Sequence, residues 1–99
     1  MAAHFAPQFV VRTVRGQISC DLGDEVAILH LGSGLYYGLN GVGARVWALI
    51  QEPRSISDLG DAILREYEVD QPRCERDLAA LLTALAKAEL IEVDHAPAA

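Results

Sequence analysis

Residues Leu29-His-Leu-Gly-Ser-Gly-Leu-Tyr-Tyr-Gly-Leu-Asn40 run with almost no linker into Gly41-Val-Gly-Ala-Arg-Val-Trp-Ala-Leu-Ile50. The near-continuous apolar run from Glu25 to Leu31 reads as an interior strand. Gly32-Ser33-Gly34 then turns the chain, because glycine takes positive φ without penalty. Leu35–Leu39 returns as the second strand of a hairpin, with two adjacent tyrosines and no charge. Asn40 suits a helix N-cap, and Val42, Val46, Leu49 and Ile50 recur at helical spacing. If the return strand lies at a sheet edge, its unpaired backbone is a template for another strand. A strand that accepts a peptide belongs to a recognition module rather than a reaction centre.

The flanking sequence supplies the rest of a small domain. Phe9–Arg15 alternates as a strand, Gly16 permits a turn, and Ile18–Leu22 either continues the sheet or crosses to the next strand. Gly23-Asp24 is a further turn signal. After Pro53 ends the first helix, Ser55 and Asp58 make a capping pair for a second helix to about Tyr67, with the stripe Ile56, Leu59, Ile63 and Tyr67. Asp70-Gln71-Pro72 opens a third helix with the stripe Leu78, Leu81, Leu82 and Leu85. Leu90–Val93 is either a short strand or an extended tail. Strands followed by helices imply an α+β fold with the helices packed on the sheet. The expected architecture is winged helix-turn-helix-like, a three-stranded antiparallel sheet followed by three helices. It forms one domain over residues 1–99 with an ordered core of about 9–93; Met1–Gln8 and Asp94–Ala99 read as frayed ends.

Composition excludes several functions. Ninety-nine residues bury roughly 60–65% of the unfolded surface, enough for one core and too little for a deep catalytic cavity. The formal net charge is −6, and the eight Lys and Arg are scattered, whereas a nucleic-acid binder needs a basic face. The N-terminus has no signal-peptide pattern, and no apolar run approaches a membrane span. A cytoplasmic protein whose two cysteines, Cys20 and Cys74, stay as thiols is expected.

No catalytic constellation stands out. His4, His30 and His95 are far apart, and His30 reads as a partly buried structural histidine. No His, Cys, Asp and Glu spacing fits a metal site, and no cofactor motif is present: Gly38-Leu-Asn-Gly-Val-Gly43 is neither a dinucleotide nor a phosphate loop and reads as glycines easing a sharp turn. The acidic side chains mostly fall on polar faces.

Gly34-Leu-Tyr-Tyr-Gly-Leu-Asn40 followed by Gly43-Ala-Arg-Val-Trp-Ala-Leu49 resembles the PqqD-like proteins, the RiPP recognition elements. The nearest likeness is to the stand-alone leader-binding proteins of lasso-peptide biosynthesis. Asp77 ahead of the leucine stripe and the closing Glu89-Leu90-Ile91 continue the pattern, so the resemblance covers roughly Val26 to Val93. The sequence departs from it at His30, where an acid is common, at Gly38, where a longer side chain is frequent, and at Glu89, where a glycine is usual.

The resemblance implies a non-enzymatic protein that binds the leader of a ribosomally made precursor and delivers it to modifying enzymes. The implied partners are a transglutaminase-like cysteine leader peptidase and an ATP-dependent lasso cyclase. The leader would add as a strand to Leu35, Tyr36, Tyr37, Gly38 and Leu39. Pockets between this strand and the third helix would be walled by Tyr36, Tyr37, Cys74, Asp77, Leu78, Leu81 and Leu85. For the leucines the competing reading is plain core, for Asp77 an internal cap or ion pair, and for Trp47 core or partner surface. A winged-helix DNA-binding regulator is the rival reading of the whole chain. The free edge also permits self-pairing into a homodimer.

Overall fold

The computed structural model describes residues 5–94. Its elements run β1 (Val10–Thr13), β2 (Gln17–Asp21), β3 (Glu25–His30), β4 (Leu35–Asn40), α1 (Gly41–Leu49), β5 (Arg54–Ser55), α2 (Ile56–Glu66), α3 (Gln71–Lys87) and β6 (Ile91–Asp94). The expected fates of Met1–His4 and of His95–Ala99, with His4 and His95 among them, fall outside the described residues.

The strands form two antiparallel sheets. A three-stranded antiparallel sheet is present as β2-β3-β4, with β3 in the middle, but its first strand is Gln17–Asp21 and not the expected Phe9–Arg15. The second has the order β5-β1-β6, with Val11 opposite Val93 and Arg12 opposite Glu92. The first strand therefore stands apart from the hairpin and zips onto the last. Nothing in a four-residue segment announces a partner some eighty residues away; that pairing is set by tertiary burial of Val11 and Ile91.

Local chemistry explains the helices. Ser55 Oγ accepts the Asp58 N–H at 3.1 Å. The other early α2 donors are also satisfied: Ser57 N–H goes to the Pro7 carbonyl and Ile56 N–H to the Phe9 carbonyl, each at 2.9 Å. These bonds tie residues 5–9 to α2, and Phe5 packs against the core. Asp70 Oδ1 accepts the Arg73 N–H at 2.9 Å to open α3. Asn40 departs from expectation: it occupies the N-cap position of α1, but its side chain makes no capping bond. The bend from strand into helix is made by Gly41, whose φ of 53° lies in the left-handed region. A bidentate pair, Arg45 Nε to Glu66 Oε1 at 2.8 Å and Nη2 to Oε2 at 3.0 Å, ties α1 to α2. The guanidinium beside it holds the Glu66 carboxyl below the usual carboxylate range.

The core joins both sheets and all three helices. Val11, Ile28, Val46, Ile50, Leu59, Leu82 and Leu90 are fully enclosed, each contributing about 1.5–3 kcal/mol of apolar burial. Trp47 is core, only 2% exposed. Of the expected α2 stripe, Leu59 and Ile63 are buried, Ile56 is half-buried and Tyr67 is exposed at the helix end.

The end of α3 explains one sequence departure. Leu90 N–H bonds to the Leu85 carbonyl and Glu89 N–H to the Ala86 carbonyl, both at 3.0 Å. This is a Schellman closure, and it places Glu89 at φ 60°. A glycine at this point would be the unstrained choice; a glutamate there bears the left-handed penalty. Glu89→Gly is expected to raise stability by about 0.5–1 kcal/mol, read as a higher urea midpoint at unchanged slope. A fall in midpoint would show that the Glu89 side chain contributes more than its backbone strain removes.

Candidate functional site

The site is built on the outer edge of β4, and the hydrogen-bond phase of the hairpin decides which groups are free. Leu22 N–H reaches the Glu25 carbonyl at 2.8 Å, and Leu31 N–H reaches the Gly16 carbonyl at 2.9 Å. Odd-numbered residues of β3 thus turn their backbone to β2. Even-numbered ones turn to β4, as the His30 carbonyl shows by accepting the Gly34 N–H at 2.8 Å. Val26, Ile28 and His30 lie opposite Leu39, Tyr37 and Leu35. Leu35, Tyr37 and Leu39 are therefore the β4 residues bonded to β3, because antiparallel pairs alternate between bonded and unbonded. Tyr36 and Gly38 are left with N–H and C=O pointing outward from the edge.

The same alternation sorts the side chains. Val26 and Ile28 face the helices and are buried, so Leu35, Tyr37 and Leu39 lie on that face. Tyr37 and Leu39 are half-buried against the core, and Leu35 is exposed at the hairpin end. Tyr36 points to the opposite, open face and is 74% exposed. Tyr37 is thus the tyrosine on the helix side.

Beside β4 on that side, Gly43 of α1 lies between Leu39 of the strand and Leu81 of α3, a junction termed the notch. A Cβ added at Gly43 of α1 would sit 3.5 Å from Leu39 Cδ2 and 3.8 Å from Leu81 Cδ1. A side chain at position 43 would therefore meet both the strand and α3, its Cβ at ordinary van der Waals distance. Leu81 is half-buried, and Asp77, one turn earlier on the same flank of α3, is exposed. Asp77 pairs with Arg73 at 3.6 Å, an exposed contact of little energy that leaves the carboxylate able to exchange partners.

The other α3 candidates are placed elsewhere. Leu78 and Leu85 are buried in the core. Cys74 is buried as well, its thiol turned toward the Gly60 carbonyl of α2 at 3.9 Å, and burial pushes its pKa up. Cys74 and Leu78 also line a cavity of about 620 Å³ between α2, α3 and the Phe5–Pro7 segment, on the flank of α3 away from Leu81. The sequence reading missed Gly43; its signal was present, a glycine in a helix whose neighbours are good apolar formers. His30 Nδ1 accepts the Ser33 N–H at 3.0 Å, which holds the turn as an acid's oxygen would. Cys20 is exposed on β2, and among the described residues no group of His, Cys, Asp and Glu could hold a metal ion. No helix of the described residues is long and apolar enough to cross a membrane.

Among the described residues, a three-stranded wing with a free, uncharged β4 edge lies beside the Leu39–Gly43–Leu81 junction, the kind of edge to which an extended peptide can be added as a strand. The sequence matches the family model of coenzyme PQQ synthesis protein D (PqqD) over residues 25–91, and the chain belongs to that family. Among solved structures it is similar to TbiB1 in complex with the TbiA(beta) leader peptide, with 44% identity and TM-score 0.78, covering 82% of this chain and 94% of that one. It is also similar to a lasso peptide synthetase B1 complexed with the leader peptide, with 27% identity and TM-score 0.74, covering 83% and 96%. No curated protein matches it.

The edge phase is checked by two proline variants. Tyr37→Pro removes an N–H that bonds to β3 and is expected to lower stability by about 1–3 kcal/mol. Gly38→Pro removes an outward N–H and is expected to leave the urea midpoint nearly unchanged. Equal losses would place the free groups wrongly.

Proposed function

We infer that this protein binds the leader segment of a ribosomally made precursor, of the lasso-peptide class, and presents it to modifying enzymes without transforming it. The single observation that carries the reading is the free β4 edge beside the Leu39–Gly43–Leu81 notch, in a chain similar to two leader-peptide complexes. The leader adds as a strand: Tyr36 and Gly38 supply backbone bonds, and alternate leader side chains enter the notch. Leu35, Tyr37, Leu39 and Leu81 form its apolar walls. Asp77 meets a hydroxyl or a cation of the guest, in keeping with the acidic charge of the chain. Leu78 and Leu85 support these walls from the core, and Cys74 secures α3 against α2. The edge of β2 is equally unpaired, but β2 is exposed along nearly its whole length and offers a peptide no wall.

A labelled TbiA(beta) leader peptide, titrated with fluorescence polarisation, tests this. The expected Kd is about 1 μM or tighter; no binding at tens of micromolar by folded protein sinks the reading. Gly43→Leu is a sharper probe. It exchanges a poor helix former for a good one and fills the notch, so leader affinity should fall about tenfold or more while stability does not. Unchanged affinity would remove the notch from the site.

Delivery requires a second surface. With the leader on the edge and the notch, the open face of β2-β3-β4 stays uncovered; it carries Ile18, Leu29 and Tyr36 in one cross-strand row. Ile18 is 58% exposed. This row is assigned to the leader peptidase, with the cyclase taking the leader afterwards. Ile18→Ser should keep leader affinity and slow leader removal by the cognate peptidase. Equal cleavage rates would place the peptidase elsewhere, and a concentration-dependent dimer lost in this variant would give the face to a second copy instead.

A further inference from the structure

We propose that two copies of this chain pair through β2, antiparallel and in full overlap, with Ser19 on the two-fold axis. The pairing joins the two three-stranded sheets end to end, in the order β4-β3-β2-β2-β3-β4. It stands apart from the leader-binding reading, because both β4 edges stay free at the outer ends.

The hairpin phase leaves half of the β2 backbone unused. Leu22 N–H bonds to the Glu25 carbonyl, and the Gly16 carbonyl accepts the Leu31 N–H. Within β2, Ile18 and Cys20 are therefore the residues bonded to β3, opposite Leu29 and Ala27. Gln17, Ser19 and Asp21 turn their N–H and C=O outward. The strand lies at the sheet edge and is exposed from Ile18 to Asp21. It carries neither lysine nor proline, the residues that commonly keep an edge unpaired.

The edge is its own complement. In the antiparallel register about Ser19, Ser19 meets Ser19 of the second copy, and Gln17 meets Asp21. Every outward donor and acceptor of β2 then has a partner. Ile18 meets Cys20 across the seam on the open face, a cross-strand apolar pair. Charge points the same way. Arg15 precedes β2, and Asp21, Asp24 and Glu25 lie at its other end, all of them exposed. Arg15, Asp24 and Glu25 belong to none of the ion pairs of the described residues. Antiparallel overlap carries Arg15 of each copy to the acidic turn of the other, whereas parallel pairing would set acid beside acid. The net charge of −6 acts at longer range and is screened at physiological salt. A ladder this short makes a weak, reversible contact.

Sedimentation velocity of the full chain under reducing conditions reads the association. A monomer at about 1 μM and a dimer at about 100 μM are expected. Ser19→Pro removes an outward N–H and spares the ladder to β3, so association should weaken about tenfold or more at a nearly unchanged urea midpoint. Ile18→Ser alters the open face but no ladder group, and should keep the dimer. A disulfide reads the register. Ile18→Cys stands opposite the native Cys20 of the second copy at an unbonded pair, where a Cα spacing of about 4.5 Å suits a bridge. Oxidation of that variant should give a covalent dimer, and adding Cys20→Ser should abolish it; Cys74 is buried. A monomer at every concentration overturns the pairing. No disulfide from a variant that dimerises overturns the Ser19 register. A dimer that survives Ser19→Pro and is lost in Ile18→Ser overturns the proposal in favour of packing between open faces. A dimer displaced by the TbiA(beta) leader peptide overturns it in favour of pairing between β4 edges.

Discussion

The structure depends on β3 being paired on both sides. Its odd-numbered backbone groups belong to β2 and its even-numbered ones to β4, so the central strand has nothing left to offer and the sheet's two edges fall to β2 and β4. The side chains of the same strand anchor the helices: Val26 and Ile28 are buried beneath them. One strand thus sets which backbone groups of β4 are free and which of its side chains face inward. A single-residue slip would exchange Tyr36 with Tyr37 in both respects.

The helices flank the β4 edge. α1 follows β4 through Gly41 with no intervening loop, which fixes Gly43 against Leu39. α3 is held by the core on one flank; on the other, Leu81 reaches the Gly43–Leu39 junction and Asp77 is exposed one turn earlier. Its acidic and basic side chains are interspersed, Glu75 and Asp77 among Arg73 and Arg76, and the DNA-binding alternative gains no support from either the site or the structural relatives.

Much of this was legible in the sequence because the signals are local. The hairpin, its glycines, the caps at Ser55 and Asp70 and the periodic stripes of α2 and α3 depend on residues within a turn or two. The interior position of β3 followed from its apolar run, and the edge position of β4, left conditional by the sequence, follows from that pairing. Three things were not legible. The β1–β6 pairing spans nearly the whole chain. The orientation of the two tyrosines depends on hydrogen-bond phase, which is invisible until Leu22, Leu31 and Gly34 declare it. The division of the α3 leucines between core and notch turns on a few tens of degrees around the helix axis: Leu78, Leu82 and Leu85 fall inside that boundary and Leu81 at it. The glutamate at position 89 shows the opposite case, a departure in sequence whose physical content became plain once its φ was seen.

The zipping of β1 onto β6 has a topological consequence. Val10 begins the first strand directly beside Asp94 at the end of the last, so the strand framework begins and ends at one point, on a sheet that shares no strand with β2-β3-β4. Such a domain has the geometry of a cassette. It can be spliced into a loop of a larger enzyme, or hung from either terminus, without stretching its scaffold.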